Sequence, residues 1–266
     1  MFLFSRSSFC GISFLWLAAF GLLSGGVDGM AGDGGPMPSD GAARGPRDAR
    51  WLKVTSPTVE YENDQSAGGR LFAQAVPDMT RYVHDIARRV GRMLYHDPAE
   101  VPAFERLTLR IFKFDGIAWK SGEPPHITVA VSTDYLLRYH EGGGDVAEEV
   151  RGILYHEMTH AYQHAEGMSS FAVEGIADVV RHRAGYIPNH FREPGGHWSD
   201  GYKTTAFFFA WIQEERGFDD FTYVLNQSAH PKNRGFWSWE DTITNATCHS
   251  VHTLWDEYQS WLSERP

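Results

Sequence analysis

The sequence predicts an α+β fold in which a small mixed or antiparallel sheet packs on one central helix. Two segments that alternate apolar and polar residues, 107–114 and His126–Ser132, precede that helix. After residue 145 nearly every apolar pattern has helical spacing, which predicts a mostly helical C-terminal half. Because the strands are grouped before the central helix, we expect α+β and not an alternating βαβ sheet.

The length allows one large domain or two small ones, and we assign one domain to residues 51–266. Hydrophobic residues make up 42% and aromatic residues 14% of the 266-residue chain, so global disorder is not expected. The formal charge of −10 argues against nucleic-acid partners, because those require a basic face. The oligomeric state is not visible in the sequence.

The N-terminus is typical of an export signal. Arg6 precedes an apolar stretch at 12–23 and then small residues, so we predict a signal peptide at 1–29 and secretion. The apolar stretch is shorter than the about 20 residues of a membrane span, and no stable membrane association is expected after cleavage. An uncleaved anchor is the alternative. Residues 30–50 are rich in Gly, Pro and charge and predict a flexible linker or short pro-segment.

The chain has two cysteines. Cys10 lies in the predicted signal, so Cys248 would be alone in the mature chain and no intramolecular disulfide is expected. We predict that Cys248 is a buried, inert, small apolar residue.

The N-terminal half contains four expected elements. They are a strand at 53–62 interrupted by Pro57, a helical pattern at 70–95 with Asp78 as N-cap, and the two strands at 107–114 and 126–132, with a loop at 116–125 between them.

The central helix is expected at 145–166. Asp145 suits its N-cap and Gly167 its end. Five further helices are expected at 171–184, 204–215, 219–226, 238–248 and 252–262.

The central helix carries the sequence His156-Glu157-Met158-Thr159-His160. Two histidines four residues apart lie on one helix face and can bind one metal ion. This HExxH pattern is typical of zinc peptidases, in which the glutamate is the general base. We therefore predict Zn²⁺ at His156 and His160, with Glu157 taking a proton from the water that attacks a peptide bond.

The next helix offers a third ligand. Glu174 and Asp178 lie four residues apart, and two histidines with one glutamate are a known catalytic zinc ligand set. We predict Glu174 as the ligand and Asp178 as the acceptor for a ring N–H of a ligand histidine. A solvated helix face is the alternative.

Three other residues are weighed as the third ligand. His164 lies about 12 Å along the helix from His156, too far for one ion. Glu166 stands where metzincins carry their last histidine, but Gln163 replaces the glycine of that pattern. His182 lies two turns beyond Glu174, and we expect it to be a surface or core histidine.

Three ordered motifs resemble the plant basic secretory protein family, whose members also occur in bacteria and fungi. They are YHEMTHAYQ at 155–163, VEGIADVVRHRAGY at 173–186 and DGYKTTAFFFAW at 200–211, and the likeness runs from about Thr58 to the C-terminal helix. This acidic chain departs from the word "basic", and Val179 stands where the family often has an aromatic residue.

The resemblance implies a secreted, zincin-like metallopeptidase of the gluzincin type that acts on peptides or proteins. It places the metal at His156, His160 and Glu174 and catalysis at Glu157. It also implies that the strand at Ile127 to Val131 is an edge that pairs with an extended substrate, although a buried strand is equally expected there.

Tyr202, within the third motif, is a candidate oxyanion donor, because peptidases of this class often place a phenol or an imidazole beside the zinc. His197 is its rival, and a buried structural tyrosine is the alternative.

Two other functions remain open. A secreted defence or wall-associated binding protein without turnover would keep the fold, although the intact Glu157 argues against it. A purely structural metal site would favour four Cys or His ligands, which the sequence does not offer.

Overall fold

A computed structural model describes residues 50–52, 54, 56–233 and 236–264. The predicted signal peptide and, apart from Arg50, the predicted linker lie outside the described residues. Within those ranges, no helix combines the length and the apolarity needed to cross a membrane.

The sheet has four strands in the described part of the chain, in the order β1-β2-β4-β3. They are β1 (Thr58–Asn63), β2 (Arg106–Phe112), β3 (Ala118–Glu123) and β4 (His126–Ser132). The pairs β1–β2 and β2–β4 are parallel, and β3 is antiparallel to β4, so the sheet is mixed.

One face of the sheet is in the core and the other faces solvent. Leu107 and Leu109 of β2 and Val129 of β4 are fully buried, as period-two alternation requires. On the opposite face, exposed ion pairs join β1 to β2, Glu60 to Arg106 and Glu62 to Arg110. Such exposed pairs contribute about 0–1 kcal/mol each, so the inner face stabilises the sheet.

Nine α-helices are described. They are α1 (Ala67–Ala75), α2 (Met79–Leu94), α3 (Thr133–Glu141), α4 (Val146–Tyr162), α5 (Ser170–Arg183), α6 (Tyr202–Glu214), α7 (Phe221–Ser228), α8 (Trp239–Thr247) and α9 (Val251–Ser263). The predicted N-caps are confirmed: the Asp78 side chain accepts from Arg81 N–H, and the Asp145 side chain accepts from Ala147 and Glu148 N–H.

Helix α4 occupies the centre of the fold. It packs against β3, β4, α1, α2 and α5. Its middle turns, from Gly152 to Thr159, are buried on every side. A helix that is covered all round presents its side chains to fixed neighbours, so a reactive group on it is held in one geometry. The α+β prediction, with a mostly helical C-terminal half, is therefore confirmed.

Several local predictions are wrong. The predicted loop at 116–125 contains strand β3. As a result β4 lies between β2 and β3, and the strand at Ile127 to Val131 is interior and not an edge. The β-branched residues of this strand are compatible with an edge or a central position. The position is central because β3 pairs with it.

Other boundaries also differ. The helical pattern at 70–95 is two helices separated at Pro77, where a proline ends helical hydrogen bonding. Helix α3 was missed, and α4 ends at Tyr162, before the expected Glu166. Cys248 is exposed and not buried, at the C-cap of α8 with φ of 60°.

Candidate metal centre and active site

The candidate site lies between α4 and α5. Contacts run in opposite sequence order along the two helices, from Glu149 with Arg181, through His156 with Asp178, to Gln163 with Val173. The helices are therefore antiparallel, and residues one or two turns apart on α4 meet residues one or two turns apart on α5. Residues spaced by four on each helix therefore face one another across the α4–α5 interface.

The three expected ligands converge on one point. His156 Nε2 lies 3.0 Å from His160 Nε2 and 3.0 Å from Glu174 Oε2, and His160 Nε2 lies 3.4 Å from Glu174 Oε2. In a tetrahedral zinc site with bonds of about 2.0–2.1 Å, ligand atoms are about 3.3 Å apart. The three atoms therefore form a triangle of the size that a zinc ion needs, and this His/His/Glu group can hold a metal ion.

Asp178 supports the first histidine. Its Oδ1 lies 2.7 Å from His156 Nδ1, and the residue is 1% exposed. An acceptor at Nδ1 holds one imidazole proton there, so Nε2 is the ring atom that faces the common point. Asp178 therefore lies where it can accept a ring N–H of a candidate ligand histidine, as the sequence predicts.

Buried charges set the protonation of this group. Burial disfavours an imidazolium, but the carboxylates of Asp178, Glu174 and Glu157 together outweigh burial and raise the pKa of His156 to about 10. Burial would raise the pKa of Glu174, but hydrogen bonds with His156 and His160 outweigh it and hold that pKa well below its usual range. Carboxylates outnumber the positive charge here, which favours a divalent cation at the common point.

Glu157 lies between the two histidines on α4 and is 5% exposed. Burial raises its pKa, against the opposing charges of His156 and His160. A carboxylate whose pKa is raised toward the working pH is a stronger proton acceptor than an ordinary surface glutamate. Burial of this carboxylate therefore does not stabilise the fold, but it makes Glu157 a suitable proton acceptor.

Tyr202 reaches the same group from α6. Its ring lies parallel to the His156 ring, with centroids 6.3 Å apart. Burial, followed by the charges of Glu174, Asp178 and Glu157, raises the pKa of its phenol, so the phenol keeps its proton at neutral pH. A hydrogen-bond donor is thus present beside the candidate metal ligands.

The backbone of Tyr202 is strained. Its φ is +44°, a left-handed conformation that a bulky residue adopts at a cost of about 1–3 kcal/mol. It follows Gly201, whose φ is +80°. This turn sets the direction in which α6 begins, and with it the aim of the Tyr202 ring.

Close packing of α5 on α6 depends on Gly175. A Cβ at this position would lie 2.4 Å from Thr205 Cγ2 and 3.1 Å from Phe209 Cε2. A larger residue next to Glu174 would push the two helices apart and move Tyr202 away from His156. The close packing of α5 on α6 therefore requires a glycine at this position of the EGIAD segment.

The rejected ligand candidates lie elsewhere. Glu166 is exposed beyond the end of α4. His164 contacts Tyr95 and His230, and His182 Nδ1 lies 2.7 Å from the Ile187 carbonyl oxygen. None of the three belongs to the His/His/Glu group found among the described residues.

His197, the rival of Tyr202, is exposed. Its Nδ1 lies 2.7 Å from Ser199 Oγ, and its ring lies against Trp198. No contact with the candidate metal ligands is described for it, whereas the Tyr202 ring lies against His156.

Two features of the site were missed from the sequence. Gln163 contacts His160, and its i, i+3 spacing from that histidine was the available signal. Arg181 donates to Glu149 at 2.9 Å, with both side chains 14% exposed, and Glu149 also accepts from Tyr135. Seven-residue spacings, 149 to 156 and 174 to 181, place this ion pair two helical turns from the ligands on the same faces.

One comparison with known proteins gave a match. Residues 56–258, about three quarters of the chain, match the family model described as BSP, peptidase of plants and bacteria. Neither the curated proteins nor the solved structures contain a match. The matched range includes every helix and strand that builds the site, and the chain belongs to this peptidase family.

Proposed function

We propose that this member of the BSP peptidase family is a secreted, zinc-dependent peptidase with a zincin-like fold and a gluzincin-type ligand set. The convergence of His156, His160 and Glu174 on one point is the observation that carries the proposal. The ligand atoms are two imidazole nitrogens and one carboxylate oxygen, and three protein ligands leave a fourth position open for chemistry. The secretion proposal rests on the N-terminal sequence pattern.

Zinc bound there would polarise a scissile carbonyl and acidify a water molecule. The chain itself supplies the proton transfer. Glu157 takes a proton from the attacking water and returns it to the leaving amine, and such acid–base catalysis contributes about 10²- to 10⁴-fold. Its burial keeps bulk water from competing for that proton.

Two further residues assist. The Tyr202 phenol donates a hydrogen bond to the carbonyl oxygen as negative charge develops there. Asp178 accepts the His156 Nδ1–H and so keeps the Nε2 lone pair available.

The edge strand β3 is the place where we expect an extended peptide to lie. It packs against α4, and β4 is its only partner among the described strands. An extended chain gains main-chain hydrogen bonds by pairing with such an edge. Peptide or protein chains are the substrate class that suits this geometry.

The proposal is tested by measuring casein cleavage and bound zinc together. Cleavage by the purified chain should stop with a chelator and return with zinc. Glu157→Gln should keep its zinc but lose about 10²- to 10⁴-fold in kcat. Glu148→Gln, an exposed substitution on the same helix, should behave like wild type.

Two results would contradict the proposal. If Glu157→Gln cleaves as fast as wild type, Glu157 is not the base. If the wild-type chain binds zinc but cleaves no peptide or protein substrate, a binding protein on a peptidase fold is the better assignment.

A further inference from the structure

The two ligand histidines are supported unequally. His156 Nδ1 contacts the carboxylate of Asp178, whereas His160 Nδ1 lies 3.1 Å from the amide nitrogen of Gln163. Gln163 is the C-cap of α4, and its amide nitrogen also donates to the Val173 carbonyl oxygen on α5 at 3.2 Å. One side chain therefore touches one ligand histidine and the residue that precedes Glu174.

The other end of the same amide is unsatisfied. Gln163 Oε1 is buried and has no hydrogen-bond partner in the described structure. A buried carbonyl oxygen without a donor loses its hydration and gains no hydrogen bond in return, which destabilises the folded chain. An orphaned acceptor on the amide group that faces His160 indicates that the amide has a second use for its oxygen.

That use follows from the tautomer a metal ligand needs. A histidine that binds through Nε2 must carry its proton on Nδ1, and a buried Nδ1–H needs an acceptor. With the amide nitrogen facing Nδ1, His160 carries its proton on Nε2, which points at Glu174. With the amide oxygen facing Nδ1, the proton moves to Nδ1 and the Nε2 lone pair faces the common point.

We propose that Gln163 positions His160 for metal binding by accepting its Nδ1–H through Oε1. This inference rests on the proposed zinc function. A half-turn of the amide exchanges its oxygen and nitrogen, and the oxygen then moves away from the Val173 carbonyl oxygen, which lies 3.2 Å from the present Nε2. The same half-turn gives up the hydrogen bond to Val173, so metal binding and the α4–α5 link are coupled through one side chain.

Two substitutions separate this role from a purely structural one. Gln163→Met keeps the length of the side chain but removes both donor and acceptor. Gln163→Glu keeps an acceptor for His160 but cannot donate to the Val173 carbonyl. Both variants lose the hydrogen bond that links α4 to α5. Only Gln163→Met also loses the acceptor for His160, so a purely structural role would affect the two variants equally.

The experiment measures the zinc dissociation constant of the intact chain by chelator competition, and the absorption spectrum of the Co²⁺-loaded protein. Gln163→Met should bind zinc about 10- to 100-fold more weakly, the usual cost of removing such a support. Gln163→Glu should stay within about threefold of wild type and keep the wild-type Co²⁺ spectrum. Equal affinity in Gln163→Met and wild type, or equal loss in both variants, would overturn the inference.

The wild-type chain distinguishes the two proposals. If wild type binds no zinc, the proposed function fails, and the inference fails with it. If wild type binds zinc and only the comparison of variants goes the wrong way, the zinc peptidase assignment stands and the role of Gln163 is wrong.

Discussion

Two interfaces in the C-terminal half are built in opposite ways. Between α4 and α5, the buried groups are charged or polar: His156, Glu157, Glu174 and Asp178 are all 9% exposed or less. Between α6 and α9, the buried groups are aromatic rings. The Phe208 ring lies 5.2 Å from Trp255 and 5.7 Å from Tyr258, measured between centroids.

The difference separates stability from function. Aromatic pairs contribute about 0.5–1.5 kcal/mol beyond the area they bury, so the α6–α9 interface stabilises the fold. Buried charges lose hydration, and their attraction often only offsets that loss. The α4–α5 interface is therefore explained by the metal ion that we propose it binds, and substitutions in the two interfaces should affect different measurements.

Phe208→Ala gives the largest expected effect. The residue is fully buried, and truncating a buried phenylalanine costs about 3–5 kcal/mol of unfolding free energy. Urea unfolding measures that loss, and the zinc affinity of the folded variant should equal that of wild type. If Phe208→Ala does not fold, Phe208→Leu gives a smaller loss with the same control. A weaker zinc affinity in a folded variant would break the separation between the interfaces.

Tyr202→Phe is expected to have the next largest effect. Removing one oxyanion donor typically lowers kcat by about 10²- to 10³-fold. Zinc affinity should not change, because the ring remains beside His156. Steady-state kinetics and urea unfolding together decide the role. If kcat is unchanged while stability falls, Tyr202 is a buried structural tyrosine.

Asp178→Asn should weaken zinc binding by about 10- to 100-fold, since an amide is a poorer acceptor for the His156 Nδ1–H than a carboxylate. The loss of unfolding free energy in the metal-free chain should be smaller than that of Phe208→Ala, because a buried charge is also removed. Asp256→Asn on the exposed face of α9 is the control. Unchanged zinc affinity in Asp178→Asn would mean that this carboxylate only stabilises the helix pair.

The smallest expected effect concerns pH and His164, just beyond α4. Burial, and then the nearby His230, lower the pKa of His164 to about 4. The unfolded chain takes up this proton below about pH 6.5 whereas the folded chain does not, so stability falls as the pH decreases from there toward 4. Above about pH 6.5 both states are neutral and the residue contributes nothing.

His164→Gln removes this penalty. The variant should gain stability relative to wild type when urea unfolding is compared at about pH 5 and about pH 7.5. The half-buried position keeps the gain small. An equal difference between variant and wild type at both pH values would show that His164 titrates normally.

Local sequence patterns predict most of the fold and most of the candidate site. The spacing of His156 and His160, and of Glu174 and Asp178, predicts faces of helices, and the structure pairs those faces as expected. Caps at Asp78 and Asp145 were also readable, because capping depends on a few neighbouring residues. Such features need no knowledge of distant contacts.

Features that depend on contacts between residues far apart in the chain could not be predicted from the sequence. Strand β3 contains Lys120, Ser121 and Gly122, a composition typical of a loop, and it forms a strand because β4 pairs with it. The edge position of β4 was wrong for the same reason. The contact of Gln163 with Val173 likewise depends on how α5 returns along α4.

The central claim is that one metal ion is held by His156, His160 and Glu174. Its most direct test is the zinc content of purified wild type, Glu174→Ala and Glu166→Ala after dialysis against a weak chelator. We expect one zinc per chain in wild type and in Glu166→Ala, and none in Glu174→Ala. Full zinc in Glu174→Ala with loss in Glu166→Ala would contradict the ligand set and favour a metzincin-like site.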